Sequence, residues 1–139
     1  MQDLIDILHD NECSCVLRNG NIHTYSQHGV ADLYNIYIQT PALLNGADIA
    51  DRVVGKGAAS ILVAGKVRQV YADVISNAGL DVLKKAGIPV FYTLLVPNIL
   101  NRNNTNLCPI ETVCAPCHTL DECMDKIKDF LHHQHTEKE

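Results

Sequence analysis

Tryptophan is absent from this 139-residue sequence and phenylalanine occurs only twice. A core of single-domain size must therefore be assembled from Leu, Ile, Val and Ala, a composition that favours α/β packing. Long hydrophobic runs are missing as well. No stretch approaches the roughly 18–20 apolar residues that span a bilayer, so no membrane partner is expected. The start, MQDLIDILHD, is acidic where a signal peptide would be basic, and a cytoplasmic location is the expectation. Runs of Lys or Arg are lacking too. With a net charge of −5 and no basic stripe to meet phosphates, nucleic acid is disfavoured as a partner.

Cysteine, by contrast, occurs six times. In a reducing compartment such residues are thiols or metal ligands rather than disulfides. Cys13, Cys15 and Leu17 alternate onto one strand face, which suits small buried apolar groups better than ligands. The same segment holds the clearest local signal. In CVLRNGNIHTY, Asn19-Gly20 separates two strand-like runs and predicts a hairpin with a type I′ turn.

Beyond the hairpin, Leu33, Ile36 and Tyr37 give helical spacing that ends before Pro41. Val54, Ala58, Ile61 and Leu62 predict a buried helix from about residue 53 to 64, with Gly57 inside it. A glycine there costs roughly 1 kcal/mol against Ala and marks close approach by another backbone or a ligand. QVYADVIS and IPVFYTLLVP read as buried strands. The helix between them is capped by Ser76 or Asn77 and closed by Gly87. That βαβ unit must be parallel with a right-handed crossover. In the last helix Thr119 and Glu122 form a capping box, and Leu120, Cys123, Met124, Ile127 and Leu131 form an apolar stripe. The polar end, HHQHTEKE, reads as a frayed tail from about residue 132. The predicted class is α/β: one three-layer domain over residues 1–139, its mixed sheet of hairpin plus parallel βαβ strands flanked by helices.

Three segments carry candidate chemistry. Cys114 and Cys117 have the C-x2-C spacing at which two thiolates reach one tetrahedral ion, and Cys108, Cys123 and His118 supply further donors. Zinc or an iron–sulfur cluster would fit the count, but Cys123 lies on the apolar stripe, and thiols near a helix start fit the segment better. Gly55-Lys56-Gly57 is not a P-loop, because Ala50 and Gly57 stand where that motif needs Gly and Ser or Thr. What remains is Lys56 near a helix N-terminus, a place that favours a phosphate or carboxylate. A solvated lysine satisfies the same pattern. The stretch ILNRNNTNLCPIE offers Asn101, Arg102, Cys108 and Glu111 as donors and acceptors around a ligand, or simply turns.

The pieces DRVVGKGAA, VYADVIS, the VP before NILNR, and CPIE, with SCVLRNG ahead of them, resemble a family of small bacterial proteins of unknown function. By fold that family is placed in the cytidine-deaminase-like superfamily. The resemblance implies two helix N-termini converging where a deaminase holds zinc. Zinc deaminases have a His or Cys followed by Glu at the first of these helices and P-C-x-x-C at the second. Here they read VVGKGAA and ISNAGLD, so hydrolytic zinc-dependent deamination is not expected, and zinc or an iron–sulfur cluster enters only with the cysteine segment. The leading expectation is a small anionic or nucleotide-like ligand bound by Gly55, Lys56, Gly57, Ser76, Asn77, Asn101, Arg102, Cys108 and Glu111. The alternative is a metal-binding or redox-sensing protein using Cys108, Cys114, Cys117 and His118. Two further readings are a homo-oligomer that uses the fold for self-association, and a new catalytic use of Cys108 with Glu111 or Lys56.

Overall fold

The computed structural model describes residues 1–26, 30–100 and 109–137, with side chains described as far as His132. The elements in chain order are α1 (Gln2–Asp10), β1 (Cys15–Asn19), β2 (Asn21–Tyr25), α2 (Ala31–Gln39), α3 (Pro41–Leu44), β3 (Asp48–Val54), α4 (Lys56–Gly65), β4 (Gln69–Ser76), α5 (Asn77–Lys85), β5 (Val90–Val96), α6 (Pro109–Cys114) and α7 (Leu120–Glu137). The strands form one mixed sheet in the order β2-β1-β3-β4-β5. β1 runs antiparallel to both β2 and β3, and β3, β4 and β5 are mutually parallel.

Helices cover the two faces unequally. On one face α4, α5, α6 and α7 join α2 over a core that includes Leu17, Ile49, Val54, Ile61, Leu62, Val70, Ile75 and Ile127. On the other face α1 packs on β1 and β3 through Leu4, Leu8, Val16, Ala50 and Tyr71. Arg52 holds α1 in place: its guanidinium donates to the carbonyls of Leu8, Asn11 and Cys13. This satisfies C-terminal carbonyls that have no partner inside the helix.

Several expectations need correction. The predicted buried helix does not begin near residue 53; Asp48–Val54 is a strand, and α4 starts at Lys56. Asp48 and Asp51 disguise the strand in sequence, yet pairing with a neighbour on each side outweighs weak local propensity. The hairpin forms at Asn19-Gly20, but Gly20 alone has positive φ (+79°) there, so the turn is not type I′. Cys13 leaves the strand face of Cys15 and Leu17 and packs under α1. β5 is an edge strand, exposed or half-buried along its whole length, rather than a buried one. The predicted caps do form: the Ser76 hydroxyl accepts from Gly79 N at 3.0 Å, and the Thr119 hydroxyl accepts from Glu122 N at 3.1 Å.

Candidate functional site

In an open parallel sheet the carboxyl ends of the strands are where helix N-termini and loops meet. Here β3 ends at Val54, Gly55 continues in extended backbone, and α4 opens at Lys56. β4 ends at Ser76, which caps α5. The two helix starts touch. A Cβ on Gly79 would lie 3.0 Å from the carbonyl oxygens of both Val54 and Gly55, so only glycine lets the first turn of α5 approach the β3–α4 connection. Asn77 is exposed on that turn.

Glu111 comes to the same point from α6. A Cβ on Gly55 would lie 1.3 Å from Glu111 Oε1; the carboxyl fills the space the glycine leaves. Lys56 N donates to that oxygen at 2.6 Å, and Gly57 N–H also bonds the carboxyl. In return the Lys56 ammonium donates to the carbonyls of Cys117 (2.7 Å) and Ala115 (3.2 Å), at the end of α6. Each helix thus satisfies the unpaired terminal groups of the other. Glu111 is only 8% exposed, and burial pushes its pKa up against the lowering effect of the amides and Lys56. The chemistry of the arrangement is that of an oxyanion site on backbone amides, held by the protein's own carboxyl group.

The structure therefore brings together Gly55, Lys56, Gly57, Ser76, Asn77 and Glu111. Asn101, Arg102 and Cys108 lie outside the described residues. Of the remaining sulfur ligands considered, Cys114 and Cys117 are buried, as is Cys123, while the neighbouring His118 is exposed. Burial, with Cys123 and Glu111 nearby, pushes the Cys114 thiol up to about 12. Burial and the Cys123 thiol also raise Cys117, whose Sγ donates weakly to the Val113 carbonyl at 3.7 Å. Among the described residues no three His, Cys, Asp or Glu side chains converge as a metal site.

Sequence reasoning missed Asp51. It is buried on β3 directly opposite Cys15 of β1, and burial pushes its carboxyl up to about 7, with Asp73 and Asp32 adding to the rise. Cys15 is raised in turn, by its own burial and by Asp51. The signal was present: once residues 48–54 are seen as a strand, Asp51 falls on the same face as core residue Ile49. A separate groove of about 540 Å³ runs between α2 and α7, lined by Tyr34, Tyr37, Met124, Asp125 and Lys128 among others, away from the strand ends.

The comparisons bear on fold and family. Residues 3–131 match the family model described as TM1506, domain of unknown function (DUF1893). The crystal structure of a DUF1893 family protein (TM1506) from Thermotoga maritima superposes with a TM-score of 0.84 at 21% identity, over 92% of this chain and 87% of that one. Among curated proteins none matches. No helix among the described residues is long and apolar enough to cross a membrane. A fold like that of TM1506 and a family match spanning nearly the whole chain lead to one conclusion: the protein belongs to the DUF1893 family.

Proposed function

We propose that this protein binds a small anionic, nucleotide-like ligand at the carboxyl ends of β3 and β4. One observation carries the reading: Glu111 Oε1 sits 2.6 Å from Lys56 N, so the start of α4 already holds an oxyanion on its amides. A phosphate or carboxylate of the ligand takes the place of the Glu111 carboxyl there. Ser76 and Asn77 border the exchange point on α5.

The strand order and directions support a cytidine-deaminase-like architecture for this site. Lys56-Gly57 and Asn77 occupy the helix starts at which such an enzyme carries zinc ligands, so the function is binding rather than zinc-dependent deamination. A cytoplasmic location belongs to the same reading, supported by the free thiols of Cys13, Cys15, Cys114, Cys117 and Cys123.

The test is a thermal-shift and calorimetric screen of nucleotides and phosphorylated metabolites against the wild type and Glu111→Gln. A ligand should raise the melting temperature of the wild type and bind several-fold tighter to Glu111→Gln, which competes without a charge. Absence of stabilisation by every compound in both proteins overturns the reading.

A further inference from the structure

Helix α6 has six residues, too few to persist alone in water. It stays helical because one side of it is packed down. Ile110, Glu111 and Cys114 form that buried side, while Pro109 and Thr112 are exposed. The first turn of α4 receives it. Glu111 fills the space over Gly55, and a Cβ on Gly57 would lie 3.1 Å from Ile110 Cγ1 and 3.7 Å from Cys114 Sγ. The two glycines let α6 lie directly on the amides where the anion is placed above.

The polar ties between the two helices converge on Lys56. Its backbone N donates to Glu111 near the start of α6, and the Gly57 amide adds to that tie. Its ammonium donates to the carbonyls of Ala115 and Cys117, just beyond the end of α6. One residue therefore fastens both ends of a short helix.

We infer that Lys56 is a two-point latch that holds α6 shut over the anion site, and that Glu111 is a built-in inhibitor which the ligand must expel. Its role as an inhibitor rests on the binding reading above; the latch itself needs no ligand. An anion arriving at the start of α4 takes the Lys56 amide from Glu111. The flexible stem of Lys56 lets its ammonium follow to the same anion. It leaves two neutral carbonyls for a charged acceptor, and hydrogen bonds between ionised partners are about twice as strong. Both ties are lost together, so α6 leaves as a unit.

The latch also sets selectivity. Apparent affinity falls in proportion to the fraction of molecules that are open. A small free anion has nothing with which to offset that loss. A larger ligand, with contacts beyond its anionic group, does.

The latch is measured without ligand, by alkylating the native protein with iodoacetamide and following each thiol by peptide mass spectrometry. Cys114 is fully buried against α4, so it reacts only when α6 leaves. Cys15 is 4% exposed on a strand paired on both sides, so it reports global unfolding. In the wild type Cys114 should react ahead of Cys15 by about tenfold or more. Lys56→Met keeps the backbone tie and removes the ammonium. It should raise the ratio of the Cys114 rate to the Cys15 rate about tenfold further, as loss of hydrogen bonds from a charged donor requires. A purely electrostatic effect has the opposite sign, because the nearby ammonium favours the Cys114 thiolate. Lys128→Met, at an exposed lysine of α7, should leave the ratio unchanged.

Equal rates for Cys114 and Cys15 in the wild type overturn the latch, as does an unchanged ratio in Lys56→Met. If that variant does not fold, amide hydrogen exchange of the wild type decides. The Lys56 and Gly57 amides should exchange well ahead of those paired within β4, and exchange at the β4 rate overturns the latch. The two readings fail separately: a barren ligand screen overturns the binding reading and leaves these rates untouched.

Discussion

Lys56 and Glu111 act as a pair across two helices, and the pairing determines what each substitution does. Removing the Glu111 carboxyl leaves the amides of Lys56 and Gly57 without their acceptor in a buried place. An unsatisfied buried donor costs about 1–3 kcal/mol, whereas exchanging one acceptor for another costs far less. Glu111→Ala should therefore lower unfolding free energy by about 2–3 kcal/mol, and Glu111→Gln by under about 1 kcal/mol. Urea denaturation of both variants measures the difference; equal losses would show that the amide contacts contribute little. Sequence reading placed Lys56 correctly at a helix start but could not supply its partner, because 55 positions separate it from Glu111. The mutual capping is visible only once α6 is folded against α4. The buried thiols make the complementary point: C-x2-C spacing looks like ligation on paper, while the fold packs those sulfurs against apolar neighbours.

At the scale of elements, close approach rather than propensity decides which glycines matter. A Cβ on Gly79 meets the backbone oxygens of Val54 and Gly55, which cannot move without shifting β3. A Cβ on Gly57 meets Ile110 Cγ1 at 3.1 Å, the middle of a side chain that can give. Alanine in a helix gains up to roughly 1 kcal/mol over glycine, while overpacking costs about 1–3 kcal/mol. Gly79→Ala should accordingly destabilise by about 1–2 kcal/mol, and Gly57→Ala should be near neutral. Thermal or urea unfolding of the two variants separates them, and identical behaviour would remove the helix-contact argument. Elements with strong local signals were readable in sequence: the Asn19-Gly20 hairpin, the Ser76 and Thr119 caps, β4, and the stripe of α7. β3 was not, since two acidic residues interrupt its pattern and its stability comes from neighbours distant in sequence. β5 was read as a strand but not as an edge, because order within a sheet is a property of the assembled fold.

Across the whole molecule, β3 carries two carboxyls shifted in opposite directions. Arg68 and Arg18 bond Asp48 at the start of the strand, and with Gln69 they hold its pKa down to about 2. Three residues on, burial raises Asp51 to about 7. The ordinary value for both is 3.8. Asp48 contributes stability that is present above that value and is lost as pH falls towards 2. Asp51 does the reverse. Its folded state holds the proton more tightly than the unfolded chain, so stability present below 3.8 declines as pH rises and is gone above about 7. Together the two groups place maximum stability in the mildly acidic range, with a decline of a few kcal/mol towards pH 8. Asp51→Asn retains an acceptor for the Arg52 and Val53 amides without the ionisation. It should stabilise the protein at pH 8, match the wild type near pH 4, and leave the acid limb set by Asp48 intact. Urea midpoints measured from pH 3 to 8 decide the matter: a wild-type profile that rises towards neutrality would mean that Asp51 is ionised at little cost, with water or a cation reaching it through the β1–β3 face.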